Sequence, residues 1–167
     1  MDFLLYRGSE MNFRAGKAGA LWYAIFFTVL LASCSSKPSN EMDKEVSTLG
    51  SAEVTAQLAE IPSAFPPNDL YNYAYVFKYR VLKVHRGNVA GTDIFVAQYN
   101  PLKPRVAVQD DVSGKVGGHV EGFHAGDIHR IALEVPVDQF WMGGIVDTYF
   151  SDKAVRYWAV WTNPGSK

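Results

Sequence analysis

The chain has a single cysteine among its 167 residues. One thiol excludes an intramolecular disulfide framework and any zinc or iron–sulfur site built on several cysteines. An excess of charge of either sign is also missing: 16 Lys and Arg stand against 17 Asp and Glu. That balance excludes the strongly basic footprint of a nucleic-acid binder and the composition of an acidic solvating tail. Histidine is scarce, with four rings at positions 85, 119, 124 and 129. Charge is absent altogether from residues 18–36. What is present is apolar: 48% of residues are hydrophobic and 20% charged, too apolar a mixture for a disordered chain. The length allows one domain.

The uncharged stretch is preceded by Arg14 and Lys17 and centred on Leu21-Trp22-Tyr23-Ala24-Ile25-Phe26-Phe27. A positive n-region, a short apolar h-region and a small-residue exit describe an export signal. The exit, Leu31-Ala32-Ser33-Cys34, resembles the lipobox of bacterial lipoproteins, and it holds the only thiol of the chain. Small side chains at Ala32 and Ser33 let a membrane protease approach the backbone. The resemblance implies cleavage between Ser33 and Cys34, a diacylglyceryl group on the Cys34 thiol and acylation of its new amine. One acyl chain binds a bilayer marginally, whereas two or more anchor stably. Two alternatives are a retained helix with an incidental cysteine, since about 18 apolar residues can span a bilayer, and a cleaved signal without lipid. Asp2 and Glu10 fit a positive n-region poorly, so translation is expected to begin at Met11 rather than Met1. Ser35 stands where an Asp marks inner-membrane retention in many lipoproteins. The resemblance therefore implies an outer-membrane anchor facing the periplasm in a Gram-negative cell.

Residues 1–33 are thus expected to be a signal peptide, 34–68 the lipidated cysteine with a flexible tether, and 69–167 one β-rich domain. Val54, Leu58 and Ile61 recur at helical spacing and predict a short helix over residues 53–60. Pro62, Pro66 and Pro67 end regular structure after it. From Tyr71 to His85 aromatic and β-branched residues alternate, with Tyr73, Tyr75, Phe77, Tyr79 and Val81 on one face. Apolar residues on both faces near Val81–Val84 predict a bulge or two-sided burial. Residues 86–93 read as a turn and Ile94–Tyr99 as the return strand of an antiparallel hairpin. Gln109–Gly118 reads as an exposed loop, Val120–Phe123 as a short strand, and Ile128–Val135 and Val155–Thr162 as two further strands. The sum is a mainly β fold, a small antiparallel barrel or sandwich of about five strands with one short N-terminal helix.

Chemistry-bearing patterns are weak. His119, His124 and His129 are spaced too widely for a metal-binding helix, and intervening glycines forbid one. They remain weak metal candidates only if strand and loop converge. Gly114-Lys115 lacks the order of a phosphate-binding loop. Asp110 and Asp111 fit a solvated loop better than an acid–base pair. Asp147 with Tyr149, and Asp152 with Arg156, suit structural polar pairs. Aromatics crowd the C-terminal part, and Trp141, Trp158 and Trp161 are candidate binding residues, with core packing the competing role. Strand alternation puts Trp158 and Trp161 on opposite faces.

The segments Lys78–Gly87, Ile94–Ala97, Gly126–Ile131 and Tyr157-Trp158 are similar to a β-domain of bacterial envelope proteins associated with alginate-type polysaccharide O-acetylation. The likeness covers strand and turn residues and lacks the serine motif of the acyltransferase, so it implies an accessory or binding role. The resulting expectation is a lipid-anchored envelope protein that binds another envelope protein or a polysaccharide, without cofactor or nucleic acid. The rival class is an envelope hydrolase or acyl-transfer accessory, in which two of the loop histidines converge with Asp127 or Glu121.

Overall fold

The computed structural model describes residues 43–62, Phe65 and residues 72–167. The lipobox, the apolar run before it and the first part of the tether lie outside these residues. The chain enters through helix α1 (Lys44–Thr48) and strand β1 (Ala52–Glu60), followed by β2 (Ala74–Arg86), β3 (Asp93–Tyr99), β4 (Gly117–Gly118), β5 (Ile128–Glu134), β6 (Ile145–Val146) and β7 (Arg156–Pro164). The fold is mainly β, as its composition predicts.

Two expectations need correction at the N-terminal end. Residues 53–60 form a strand, not a helix, and the short helix lies earlier, at Lys44–Thr48. Val54, Ala56 and Leu58 are all buried, a period of two. β1 is hydrogen-bonded on both sides, to β2 and to β5. That pairing outweighs the helix preference of its Ala, Glu, Gln and Leu residues. Regular structure is therefore present from Lys44, 25 residues before Asp69.

The long strands pair in a ring, β1–β2–β3–β7–β5 and back to β1. All these pairings are antiparallel except β3–β7, which is parallel over three residue pairs. β6 and β4 add short parallel pairings to β2 and β7, so the sheet is mixed rather than wholly antiparallel. The β2–β3 hairpin and its inward face appear as the sequence predicts: Tyr75, Phe77 and Tyr79 are fully buried. The β1–β2 register slips opposite Leu82 and His85, so the expected bulge is present. Leu82 and Val84 are nonetheless exposed, not buried on two sides.

Two apolar cores result. One fills the ring with Val54, Leu58, Tyr75, Phe77, Ile94, Val96, Ile131 and Leu133. The other lies outside the ring, on the β2–β3–β7 face, where Val76, Phe95, Tyr99 and Trp158 pack against Val108, Val116, Val137 and Trp141. The segment 109–118, expected to be an exposed loop, contributes Val116 to this second core, and residues 120–123 are irregular rather than a strand.

Candidate functional site

The described residue nearest in sequence to Cys34 is Asp43, and it is firmly held. Its Oδ1 caps α1 by accepting from the Glu45 N–H at 3.0 Å. Its Oδ2 accepts from Trp161 Nε1 at 2.6 Å and Asn163 Nδ2 at 3.0 Å, and lies 3.2 Å from His119 Nε2. Burial acts to raise the Asp43 pKa, but the hydrogen bonds from Asn163, Glu45 and Trp161 outweigh it and bring the carboxyl down to about 2. One carboxylate thus fastens the incoming chain to the C-terminal end of β7.

The histidines do not meet as a group. His119 belongs to the Asp43 cluster. His124 and His129 both face Asp127, at 3.3 and 3.9 Å from its Oδ2. His124 is at the surface, whereas His129 is buried inside the ring, with Nδ1 3.1 Å from the Tyr79 hydroxyl. Burial pushes the His129 ring down to about 4, with Asp127 opposing. Among the described residues no three His, Cys, Asp or Glu side chains are grouped to hold a metal ion.

The tryptophans also divide. Trp141 and Trp158 stack at 5.2 Å with ring planes 7° apart and are both buried in the second core. They are packing residues, not a binding surface. Trp161 is half-buried with its N–H given to Asp43. Trp158 and Trp161 do not take opposite faces, because the β5–β7 register shifts between Ala132 and Leu133. The shift resets the alternation, so that Thr162 reaches inward to Gln98 and both indoles lie outside the ring.

Asp110 is a turn residue: it accepts from the Val112 and Ser113 N–H groups and from the Tyr99 hydroxyl at 2.6 Å. Of the expected polar pairs, Arg156 does meet Asp152, donating to its carbonyl at 2.6 Å, whereas Asp147 and Tyr149 take other partners. Asp147 binds Arg156 at 2.7 Å, and Tyr149 donates to Glu60 at 2.9 Å.

Two features escaped the sequence reading. Tyr79, Gln98, His129 and Thr162, from four different strands, form a buried polar cluster at one end of the ring. A Gln and a Thr at inward positions of otherwise apolar strands are its only sequence signal. Arg105 is buried, with its guanidinium given to the carbonyls of Tyr99, Asn100 and Lys103 and stacked 5.1 Å from the Phe123 ring. Desolvation lowers its pKa to about 10. No sequence pattern marks an arginine that clamps its own turn.

The outer face of β2 and β3 is not open to a ligand. Residues 137–150 of the chain itself cover it, through Val137, Trp141 and Phe150. The uncovered sheet surface is instead the far half of β2. There Leu82, Lys83, Val84 and His85 are exposed, Arg80 pairs with Asp93 at 3.4 Å, and His85 Nε2 meets Thr55 Oγ1 at 2.8 Å. Compared with known proteins, the chain matches no family model, no curated protein and no solved structure.

Proposed function

We propose that this protein is a lipid-anchored cell-envelope protein whose β-domain binds another envelope protein or a polysaccharide, as an accessory rather than a catalyst. The observation that carries the reading is the place of the only thiol: Cys34 lies near the end of the uncharged run of residues 18–36, directly after Leu31-Ala32-Ser33. Ser35 favours the outer membrane, facing the periplasm, in a Gram-negative cell. The exposed strip Leu82-Lys83-Val84-His85 supports the binding role, since an uncovered sheet surface mixing apolar and basic side chains suits a partner's polar rim and apolar centre. The likeness to domains associated with polysaccharide O-acetylation favours a partner in polymer modification.

Metabolic labelling with a radioactive fatty acid tests the anchor. Label is expected on the wild type and absent from Cys34→Ser, and label that persists in the variant refutes the anchor. A photo-crosslinking residue at Lys83 should capture a partner in the native membrane, and Leu82→Glu should abolish the capture. The rival enzymatic reading has one observation in its favour, the Asp127 carboxylate facing both His124 and His129. It requires hydrolysis of a model acyl ester that His124→Ala removes.

A further inference from the structure

The Asp43 clip, taken with the anchor proposed above, fixes which end of the domain meets the membrane. Nine peptide links separate Cys34 from Asp43. Nine links can span at most about 30 Å. A folded unit of this size is about 35 Å across. Asp43 therefore cannot lie farther than about 30 Å from the lipid, less than the width of the domain, which disfavours an orientation with the Asp43 end pointing away from the bilayer.

Asp43 sits on Trp161, Asn163 and His119, at the C-terminal end of β7. β3 runs parallel to β7, so the end of β3 at Tyr99–Asn100 lies at the same pole. The two segments there are sewn together. Val120, next to His119, accepts from the Arg105 N–H at 2.9 Å, and the Arg105 side chain holds the Asn100–Lys103 turn. The turn presents Leu102 and the helical turn at Arg105–Ala107 presents Val106 to solvent, 55% and 65% exposed. Lys103 and Lys115 are exposed, as are Asp111 and Glu121, in this turn and the segments that follow it in sequence. Mixed charges leave little net electrostatic pull, so the apolar pair carries the contact.

We propose that this pole is a membrane-contact surface: Leu102 and Val106 insert at the headgroup boundary of the bilayer that holds Cys34, and the β2–β3 turn faces away. Apolar side chains on an anchored protein gain by burial at that boundary, typically 5–10 Å deep. The exposed strip of β2, which runs toward the β2–β3 turn, is thereby left open to a partner. This inference rests on the lipoprotein reading.

The test uses the full-length protein, purified from its membrane and reconstituted in vesicles of phosphatidylethanolamine and phosphatidylglycerol bearing brominated acyl chains. An environment-sensitive fluorophore is attached to Leu102→Cys, Val106→Cys or Asn88→Cys, the last in the β2–β3 turn about 20 Å away along β3. Acylated Cys34 takes no label. Bromine quenching reaches only groups near the acyl chains, so quenching at 102 and 106 should exceed that at 88 about threefold or more. Equal quenching at the three sites, or stronger quenching at 88, in protein that floats with the vesicles overturns the proposed orientation and leaves the anchor standing. If the wild type does not float, the anchor itself fails and the orientation with it.

Discussion

Acid should weaken this domain well before its carboxylates titrate, and His129 is the reason. A histidine in an unfolded chain titrates near 6.5. Inside the ring, burial brings His129 down to about 4. The folded state therefore keeps the ring neutral over a range in which the unfolded chain takes up a proton. Stability is complete above about pH 6.5 and is lost as the pH falls towards 4. At about 1.4 kcal/mol per pH unit of difference, the loss approaches 3 kcal/mol. That is a large fraction of the 5–15 kcal/mol typical of a domain. Urea unfolding of the domain, followed by the fluorescence of its buried tryptophans from pH 7 to 4, measures it directly. His129→Phe removes the titrating ring, and its stability should change little over the same range. His85 is also lowered, mainly by burial, but it lies at the surface, and His85→Gln separates its smaller share. A flat wild-type profile, or an unchanged slope in His129→Phe, refutes the reasoning.

Other perturbations have equally definite outcomes. Gly118 has φ +134°, and a Cβ there would meet the Thr162 carbonyl oxygen. Gly118→Ala should cost at least about 2 kcal/mol in urea unfolding, with the β4–β7 amides losing exchange protection. Arg105→Ala removes the guanidinium from three carbonyls, of which Asn100 keeps the Lys103 N–H, and should cost about 2–3 kcal/mol. Hydrogen exchange should localise that loss to residues 99–106. Trp158→Ala opens the second core and should cost about 3–5 kcal/mol. Trp161→Ala should cost less and act chiefly by freeing Asp43, seen as faster exchange across α1.

The hairpin was legible because its signal is local: aromatic and β-branched residues alternate through Tyr75, Phe77 and Tyr79, and a glycine-bearing turn precedes the return strand. β5 and β7 were legible on the same grounds. β1 was not, although Ala52, Val54, Ala56 and Leu58 do alternate. Its residues favour a helix when read alone, and only pairing with two distant strands decides the matter. The Trp158–Trp161 relation failed for a similar reason, since a register shift is set by the facing strand. Of the candidate sites, Trp141 and Trp158 took the packing role that a small domain requires of its large rings. Asp127 did come to lie beside His124 and His129, as the enzymatic reading requires, while His119 went to Asp43 instead. The Asp43 clip itself was invisible, because its partners lie 118 and 120 residues away in the chain.

The polar cluster of Tyr79, Gln98, His129 and Thr162 draws one member from each of β2, β3, β5 and β7. Oily neighbours tolerate sliding past one another, but a hydroxyl, an amide and an imidazole shut away from water tolerate it poorly. If any of the four strands slipped by a single residue, its polar member would turn outward and abandon the others in a dry interior. The cluster thus works as a keyed lock on alignment: it makes a misthreading of any of these four strands less favourable than the native pairing.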